Sequence, residues 1–341
     1  MKIFKAAKII LIVFLLILIL PFGLYLLLAP TKKNEVKFGL NFSNKYAKEL
    51  NQDWKSTYNT ILKEIPTKKF RLVVYWNDVE AVKGKYDYSD IKYQLDALEK
   101  YPNSEVLMVI GRKVIRYPEC HEPGWWQELR SEEQKKKELL TYIEKTVNEL
   151  KGYRSIKNWQ VENEALFPFG DCTELSDLRG LLQDEVDLVR KLDPSRKIVI
   201  QDSGEAGVWQ TSSKLGDYVG ISMYRKVWFN FFDMLNTYSF QLKYPLGPAF
   251  YYIKAKVLGI PVERIKATEV QAEAWGPVRN YLLTQEEVDL SMSHKDFDGV
   301  LEYVKSTGFE EFDLWGVEWW YHMKIYHNDP YYWDIAKKTF K

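Results

Sequence analysis

Cysteine is scarce: two residues in a chain of 341 exclude a disulfide-built miniprotein and most structural zinc modules. No charge sign dominates, since 48 Lys and Arg against 47 Asp and Glu leave a formal charge of +1. That balance argues against a basic nucleic-acid binder. The histidines His121, His294, His322 and His327 form no H-E-x-x-H pattern and stand apart from any cysteine cluster, so no metal site is expected. Phosphate loops, dinucleotide glycine fingerprints and a G-x-S-x-G elbow are also missing, and no cofactor is expected. Beyond Pro30 there is no second apolar run long enough to span a bilayer, no low-complexity tract and no short repeat.

One long apolar run is present. Ile9 to Leu28 reads IILIVFLLILILPFGLYLLL without a charge, and a helix needs roughly 20 such residues to cross the hydrocarbon core. Lys2, Lys5 and Lys8 precede it, which favours a cytoplasmic N-terminus and a domain delivered outside, although Lys32 and Lys33 follow. A cleaved signal peptide is the alternative, and Pro21 keeps it open. The run exceeds a usual signal core, however, and no small-residue cleavage site lies near Leu27 to Ala29. Residues 1–30 therefore read as a membrane anchor contacting lipid through residues 9–28, and 31–341 as one extracytoplasmic unit.

Within that unit, short β-branched or apolar runs alternate with amphipathic stretches. Eight strands are expected at Lys37–Phe42, Phe70–Trp76, Val106–Gly111, Ile156–Glu162, Lys197–Asp202, Tyr218–Met223, Ile265–Val270 and Phe312–Val317. Helices are expected at Glu132–Leu150, Leu175–Leu192 and Gln285–Ser306, where apolar residues recur three and four apart. Ser131 with Gln134, and Thr284 with Glu287, have capping-box spacing. Eight β-then-α units predict a closed (β/α)8 barrel preceded by one transmembrane helix. An open doubly wound sheet fits less well without a glycine-rich turn after the first strand. The aromatic segment Trp228 to Gly259 reads as an insertion over the barrel mouth, as a lipid-facing surface, or as core.

Reactive groups of such a barrel stand at the C-terminal strand ends. The fourth strand runs out through NWQVENEALFPFG, placing Asn163 and Glu164 there, and the seventh through IKATEVQAEAWG, placing Glu269. Two carboxylates across a barrel mouth suit glycosidic bond cleavage, where one protonates the departing oxygen and the other attacks carbon or activates water. Arg71 stands in FRLVVYWNDVEAVKGKYDYSD, Tyr224 in GISMYRKVW, and Trp315 and Trp319 in LWGVEWW. Taken in order, these residues resemble the clan A glycoside hydrolases, the retaining barrel superfamily of cellulases, mannanases, xylanases and β-galactosidases, over residues 36–341.

The resemblance implies a retaining hydrolase of β-linked saccharides, with transglycosylation as a variant outcome. Glu164 would be the acid/base and Glu269 the nucleophile. Asn163 would hold a sugar hydroxyl, and Arg71 and Tyr224 would keep Glu269 charged and aimed. Retention implies a carboxyl separation of about 5 to 5.5 Å, against about 6.5 to 9.5 Å for inversion. Each carboxylate has a rival: Glu162 for Glu164, and Glu273 for Glu269, with sugar binding or pairing to an arginine as further readings of Glu273. One of Trp315 and Trp319 would form a stacking floor while the other belongs to the core.

The loop RYPECHEPGWW after the third strand offers Glu119 and His121 as substrate contacts, with Trp125 and Trp126 as caps or helix starts. Arg112, Lys113 and Arg116 form a basic patch that could meet an acidic sugar. Cys120 and Cys172 follow neighbouring strands, and an oxidising compartment would favour a disulfide between them, with two free thiols as the alternative. A non-catalytic carbohydrate-binding protein on a degenerate barrel is the other functional class. Oligomeric state is not legible.

Overall fold

A computed structural model describes residues 23, 25, 28–230 and 239–340. Among the described residues there are ten strands: β1 (Lys37–Asn41), β2 (Lys69–Val73), β3 (Glu105–Ile110), β4 (Ile156–Val161), β5 (Lys197–Asp202), β6 (Tyr218–Met223), β7 (Lys226–Asn230), β8 (Ser239–Lys243), β9 (Ile265–Gln271) and β10 (Glu311–Trp315). Eight close into a barrel in the order β1-β10-β9-β6-β5-β4-β3-β2, every pair parallel, with β1 returning to β2 through Leu40 opposite Phe70 and Asn41 opposite Arg71. This is a (β/α)8 TIM barrel. Its seventh and eighth staves are β9 and β10.

Alternation explains the two layers. On β2, Phe70 and Leu72 join the main apolar cluster, while Arg71 is buried amid polar groups on other staves. That alternation is the ordinary consequence of a period of two. The helices lay apolar stripes against the barrel: Leu139, Ile143 and Val147 from Glu132–Leu150, and Leu182, Val186 and Val189 from Leu178–Leu192, are all buried.

Several expected strand ends were too long. Strand hydrogen bonding stops where the backbone turns to positive φ, at Gly111 (127°), Glu162 (60°) and Gly316 (125°), and Trp76 opens a short helix instead of ending β2. The helix expected over Gln285–Ser306 is two helices, Gln285–Met292 and His294–Lys305. Ser293 between them is extended (φ −63°, ψ 165°) and caps the second in a reciprocal box with Asp296. Thr284 and Glu287 also form a full box, whereas Ser131 accepts only the Gln134 N–H. The helix expected from Leu175 starts at Leu178 behind the Asp177 cap.

The segment expected as an irregular insertion holds the antiparallel hairpin β7–β8 and the helix Ala249–Val257. Gln271 ties the hairpin to β9: its Oε1 accepts from the N–H groups of Arg225 and Lys226, both at 2.9 Å.

The anchor expected at Ile9–Leu28 lies almost wholly outside the described residues. Among the described residues, no helix is long and apolar enough to cross a membrane. The chain after it is docked on the barrel at the starts of the strands, opposite the mouth. The Lys33 N–H donates to the Lys305 carbonyl at 2.8 Å, and Lys32 and Lys33 pair with Glu302 and Glu310. Pro30 packs so closely on Gly308 that a Cβ there would lie 2.4 Å from the proline Cβ.

Candidate active site

Arg71 is the hub of the barrel interior. It is fully buried, and a buried guanidinium must find partners for its donors. Nε donates to Gln160 of β4 at 2.9 Å, and Nη1 to Asn41 of β1 at 2.9 Å and Glu269 of β9 at 2.8 Å. Nη2 donates to Asn163 at 2.7 Å and also bonds Gln201 of β5. One side chain thus ties staves on every side of the mouth to a single carboxylate. Glu269 further accepts from the Tyr224 hydroxyl at 2.7 Å and from Gln201 at 3.3 Å. Three donors, one of them cationic, converge on it.

Glu164 is set up differently. Its Oε1 accepts one hydrogen bond, from the Ser222 hydroxyl at 2.7 Å. Burial and the charge of Glu269 raise its pKa to about 8, against weaker opposing effects from Ser222 and Lys113, with Glu119 adding to the rise. The two carboxyls therefore sit in opposed surroundings, one rich in donors and one poor in them.

Glu162, the rival to Glu164, points elsewhere. β4 ends at Val161, and Glu162 and Glu164 then take left-handed backbone (φ 60° and 47°), so strand alternation no longer relates them. The Glu162 carboxylate accepts from the N–H groups of Arg112 at 2.8 Å and Lys113 at 2.6 Å, clamping the loop after β3. Gly111 is required beneath it, since a Cβ there would meet Glu162 Oε1 at 2.5 Å. Burial and then the charge of Glu162 hold the neighbouring Glu185 carboxyl well above its ordinary range.

Asn163 is oriented at both ends. Its Oδ1 accepts from Arg71, and its Nδ2 donates to Glu119 Oε2 at 2.9 Å. Glu119 is a third carboxyl of the mouth, raised to about 7 by burial and by Glu269. The loop bearing it is bonded to the loop after β4 through a Cys120–Cys172 disulfide, with Cα atoms 5.0 Å apart and 52 positions between them in sequence.

Beside the carboxyls opens a cleft of about 450 Å³, lined by Tyr46, Arg116, Glu119, Tyr224, Trp275 and Trp315 among others. Glu164 and Glu269 do not line it; of the residues that do, Tyr224 is hydrogen-bonded to Glu269 and Glu119 to Asn163. Trp275 packs edge-on against Tyr224, with centroids 5.2 Å apart, and is only half-buried. It is one of the cleft's open aromatic rings, with the more exposed Tyr117 and Phe169.

Three expectations need correction. Trp315 lines the cleft, but the Arg116 guanidinium covers one face of its ring, 3.9 Å from the centroid, and Tyr46 covers the guanidinium's other side at 3.6 Å. Trp319, fully buried against Tyr332, is the one of the two tryptophans that belongs to the core. His121 is buried, meets the Arg116 carbonyl through Nε2 at 3.0 Å and packs edge-on against Tyr75, so it braces the loop instead of lining the cleft. Burial lowers its pKa to about 4.

The third correction concerns the basic patch, whose charges are internally engaged. Arg112 pairs with Glu122, Lys113 donates to the carbonyls of Glu164 and Phe167, and Arg116 pairs with Glu273 at 2.5 Å and Glu318 at 3.2 Å. Of the readings open for Glu273, pairing with an arginine is the one the geometry holds, and Trp315 Nε1 adds a hydrogen bond at 2.9 Å. Trp125 and Trp126 start a short helix and pack on Trp76. No group of three or more metal-ligating side chains clusters among the described residues.

No protein-family model and no curated protein matches the sequence. Solved structures do share the fold. The exo-β-1,4-mannosidase from Opitutaceae bacterium strain TAV5 superposes with a TM-score of 0.56 at 15% identity, over 84% of this chain and 53% of that one. GH5_18 from Streptomyces cattleya, solved in complex with GlcNAc, gives 0.54 at 12% identity, over 83% and 70%. A psychrophilic glycoside hydrolase family 10 endo-β-1,4-xylanase gives 0.52 at 12% identity, over 83% and 86%. The chain spans about half the length of the mannosidase. Its TIM-barrel fold resembles those of clan A glycoside hydrolases at low identity, with no one family assigned.

Proposed function

We propose that this chain is a retaining glycosidase acting on a β-linked saccharide, with Glu269 as nucleophile and Glu164 as acid/base. The observation that carries the reading is the opposed setting of the two carboxyls. Glu269 receives Arg71, Tyr224 and Gln201, whereas Glu164 is buried, has one hydroxyl donor and has a pKa raised to about 8.

In the first step Glu269 attacks the anomeric carbon while Glu164 delivers its proton to the departing glycosidic oxygen. The carbon–oxygen bond breaks and a glycosyl ester forms on Glu269. The ester carries no charge, so one of the two main causes of the raised Glu164 pKa disappears. Glu164, now a carboxylate with a lower proton affinity, takes a proton from an incoming water. The water oxygen bonds to the anomeric carbon, and the Glu269 carboxylate is released. A sugar hydroxyl in place of water gives transglycosylation by the same residues. Arg71 steadies the carboxylate at both ends of the cycle.

Aryl β-glycosides of several sugars test the reading. Wild type should turn over at least one of them with retention seen by proton NMR, and Glu164→Ala and Glu269→Ala should each lose roughly a thousandfold or more, with azide restoring turnover. Unchanged turnover in both variants rejects the assignment.

We also propose that residues 9–28 anchor the barrel to a bilayer with the domain outside the cytoplasm. The docking of Lys32 and Lys33 at the strand-start face would then aim the mouth away from the lipid. Protease added to intact cells should digest the barrel; full protection would reverse the topology.

A further inference from the structure

Glu119 is built into the site more firmly than a loop carboxylate needs to be. Its backbone is left-handed (φ 71°), its N–H donates to the Arg116 carbonyl and its carbonyl accepts from the Val114 N–H, both at 2.8 Å. The next residue is cross-linked to Cys172. Gly170, from the loop after β4, lies so close that a Cβ would stand 2.6 Å from Glu119 Cβ and 2.8 Å from the Pro118 carbonyl. Both neighbouring loops thus hold this one side chain over the mouth.

Its contacts form a chain to the reacting groups. Glu119 Oε2 accepts from Asn163, Asn163 accepts from Arg71, and Arg71 donates to Glu269. That single bond is the Glu119 carboxyl's one hydrogen bond among the described residues, and the residue lines the cleft. A sugar whose anomeric carbon lies over Glu269 carries its next substituent one bond further on. Hydrogen bonds to that substituent strengthen as positive charge develops on the ring. Asn163 has one N–H committed to Glu119, so a group arriving there meets an amide and a carboxyl side by side. A hydroxyl satisfies both, accepting from the amide and donating to the carboxyl. A missing substituent offers nothing to either.

We propose that Glu119 is a specificity-determining residue of this site, accepting a hydrogen bond from the sugar hydroxyl at C2 and so selecting glycones with that hydroxyl over 2-deoxy sugars. This rests on the assignment of Glu164 and Glu269. Among the described residues the cations lining the cleft are paired, Arg116 with Glu273 and Glu318 and the exposed Arg279 with Glu49.

The test is a cycle between enzyme and substrate. Wild type, Glu119→Gln and Glu119→Ala are assayed at pH 7.5 with 4-nitrophenyl β-glycosides of glucose, galactose, mannose and xylose, and with 2-deoxy counterparts. For the best 2-hydroxy substrate, removing the hydroxyl and replacing Glu119 should each lower kcat/KM roughly tenfold or more, and the two losses should not add. A purely structural role lowers 2-hydroxy and 2-deoxy substrates equally, and that result overturns the proposal.

If no glycoside is turned over, saturation-transfer NMR of the methyl β-glycosides on Glu269→Ala gives the same reading without chemistry. The 2-hydroxy sugars should bind and lose binding in Glu119→Gln/Glu269→Ala; equal binding, or none, overturns the proposal. Failure of the catalytic assignment is separate, being wild-type turnover in Glu164→Ala and Glu269→Ala.

Discussion

The guanidinium of Arg116 lies over the ring of Trp315, its central carbon 3.9 Å from the ring centroid, and is ion-paired there to Glu273 and Glu318. A cation covers one face of that ring, whereas Trp275, lining the same cleft, is only half-buried. Trp275→Ala should therefore raise KM roughly tenfold, while Trp315→Phe leaves KM within about twofold and costs about 1–3 kcal/mol of stability through the lost Glu273 hydrogen bond. Arg116→Leu strands two buried carboxyls and should cost about 3–5 kcal/mol in urea unfolding. A Trp315 effect confined to KM would contradict this division.

Catalysis should lose its acid as pH rises. With Glu164 raised to about 8, kcat/KM should fall on an alkaline limb near that value, since only the protonated form can donate. Ser222 donates to the carboxylate and lowers its pKa, so Ser222→Ala should move the limb upward. A limb moving downward would show that Ser222 acts otherwise.

Reduction should loosen the mouth. Closing a loop with ends 52 positions apart contributes about 4 kcal/mol in the chain-entropy treatment, and measured bridges give about 2–4 kcal/mol. Cys120→Ser with Cys172→Ser should lower stability by that order and weaken turnover by freeing the Glu119 loop. Non-reducing peptide mapping that recovers both thiols from native protein would remove the bridge.

Thermal stability should peak in mild acid. Glu164 is raised to about 8, and Glu119, Glu205 and Glu318 to about 7, each chiefly by burial. The folded state therefore holds more protons than the unfolded chain between about pH 4.5 and these values, and stability drains away as pH rises through that window. His121, lowered to about 4, acts in the opposite sense below about pH 6.5, and Glu64 and Glu302, lowered to about 2, lose their contribution below about pH 4.5. Tm should be highest at about pH 4.5, above which the four raised carboxyls outweigh the opposing His121, and fall toward pH 8; a Tm climbing from pH 6 to 8 would contradict the assignment of these groups.

Local pattern was enough for the barrel. Eight β-branched runs separated by amphipathic stretches have few ways to bury two apolar faces, and the observed staves lie within a few residues of the expected ones. Order along the chain also placed Arg71, Asn163, Glu164, Tyr224 and Glu269 at one mouth, because strand ends of a parallel barrel all face the same way.

Tertiary structure decided what spacing could not. Glu162 and Glu164 differ by two positions, yet left-handed backbone after Val161 sends one into the loop after β3 and the other toward Ser222. The burial of Trp319, the covering of Trp315 by Arg116 and the spending of the basic patch all depend on partners many residues away. So does the pairing of Glu119 with Asn163, 44 positions on. Residue type and strand period act locally and are readable in the sequence; the direction of a side chain leaving a strand end is set by whichever loop packs against it, and that is known only once the barrel has closed.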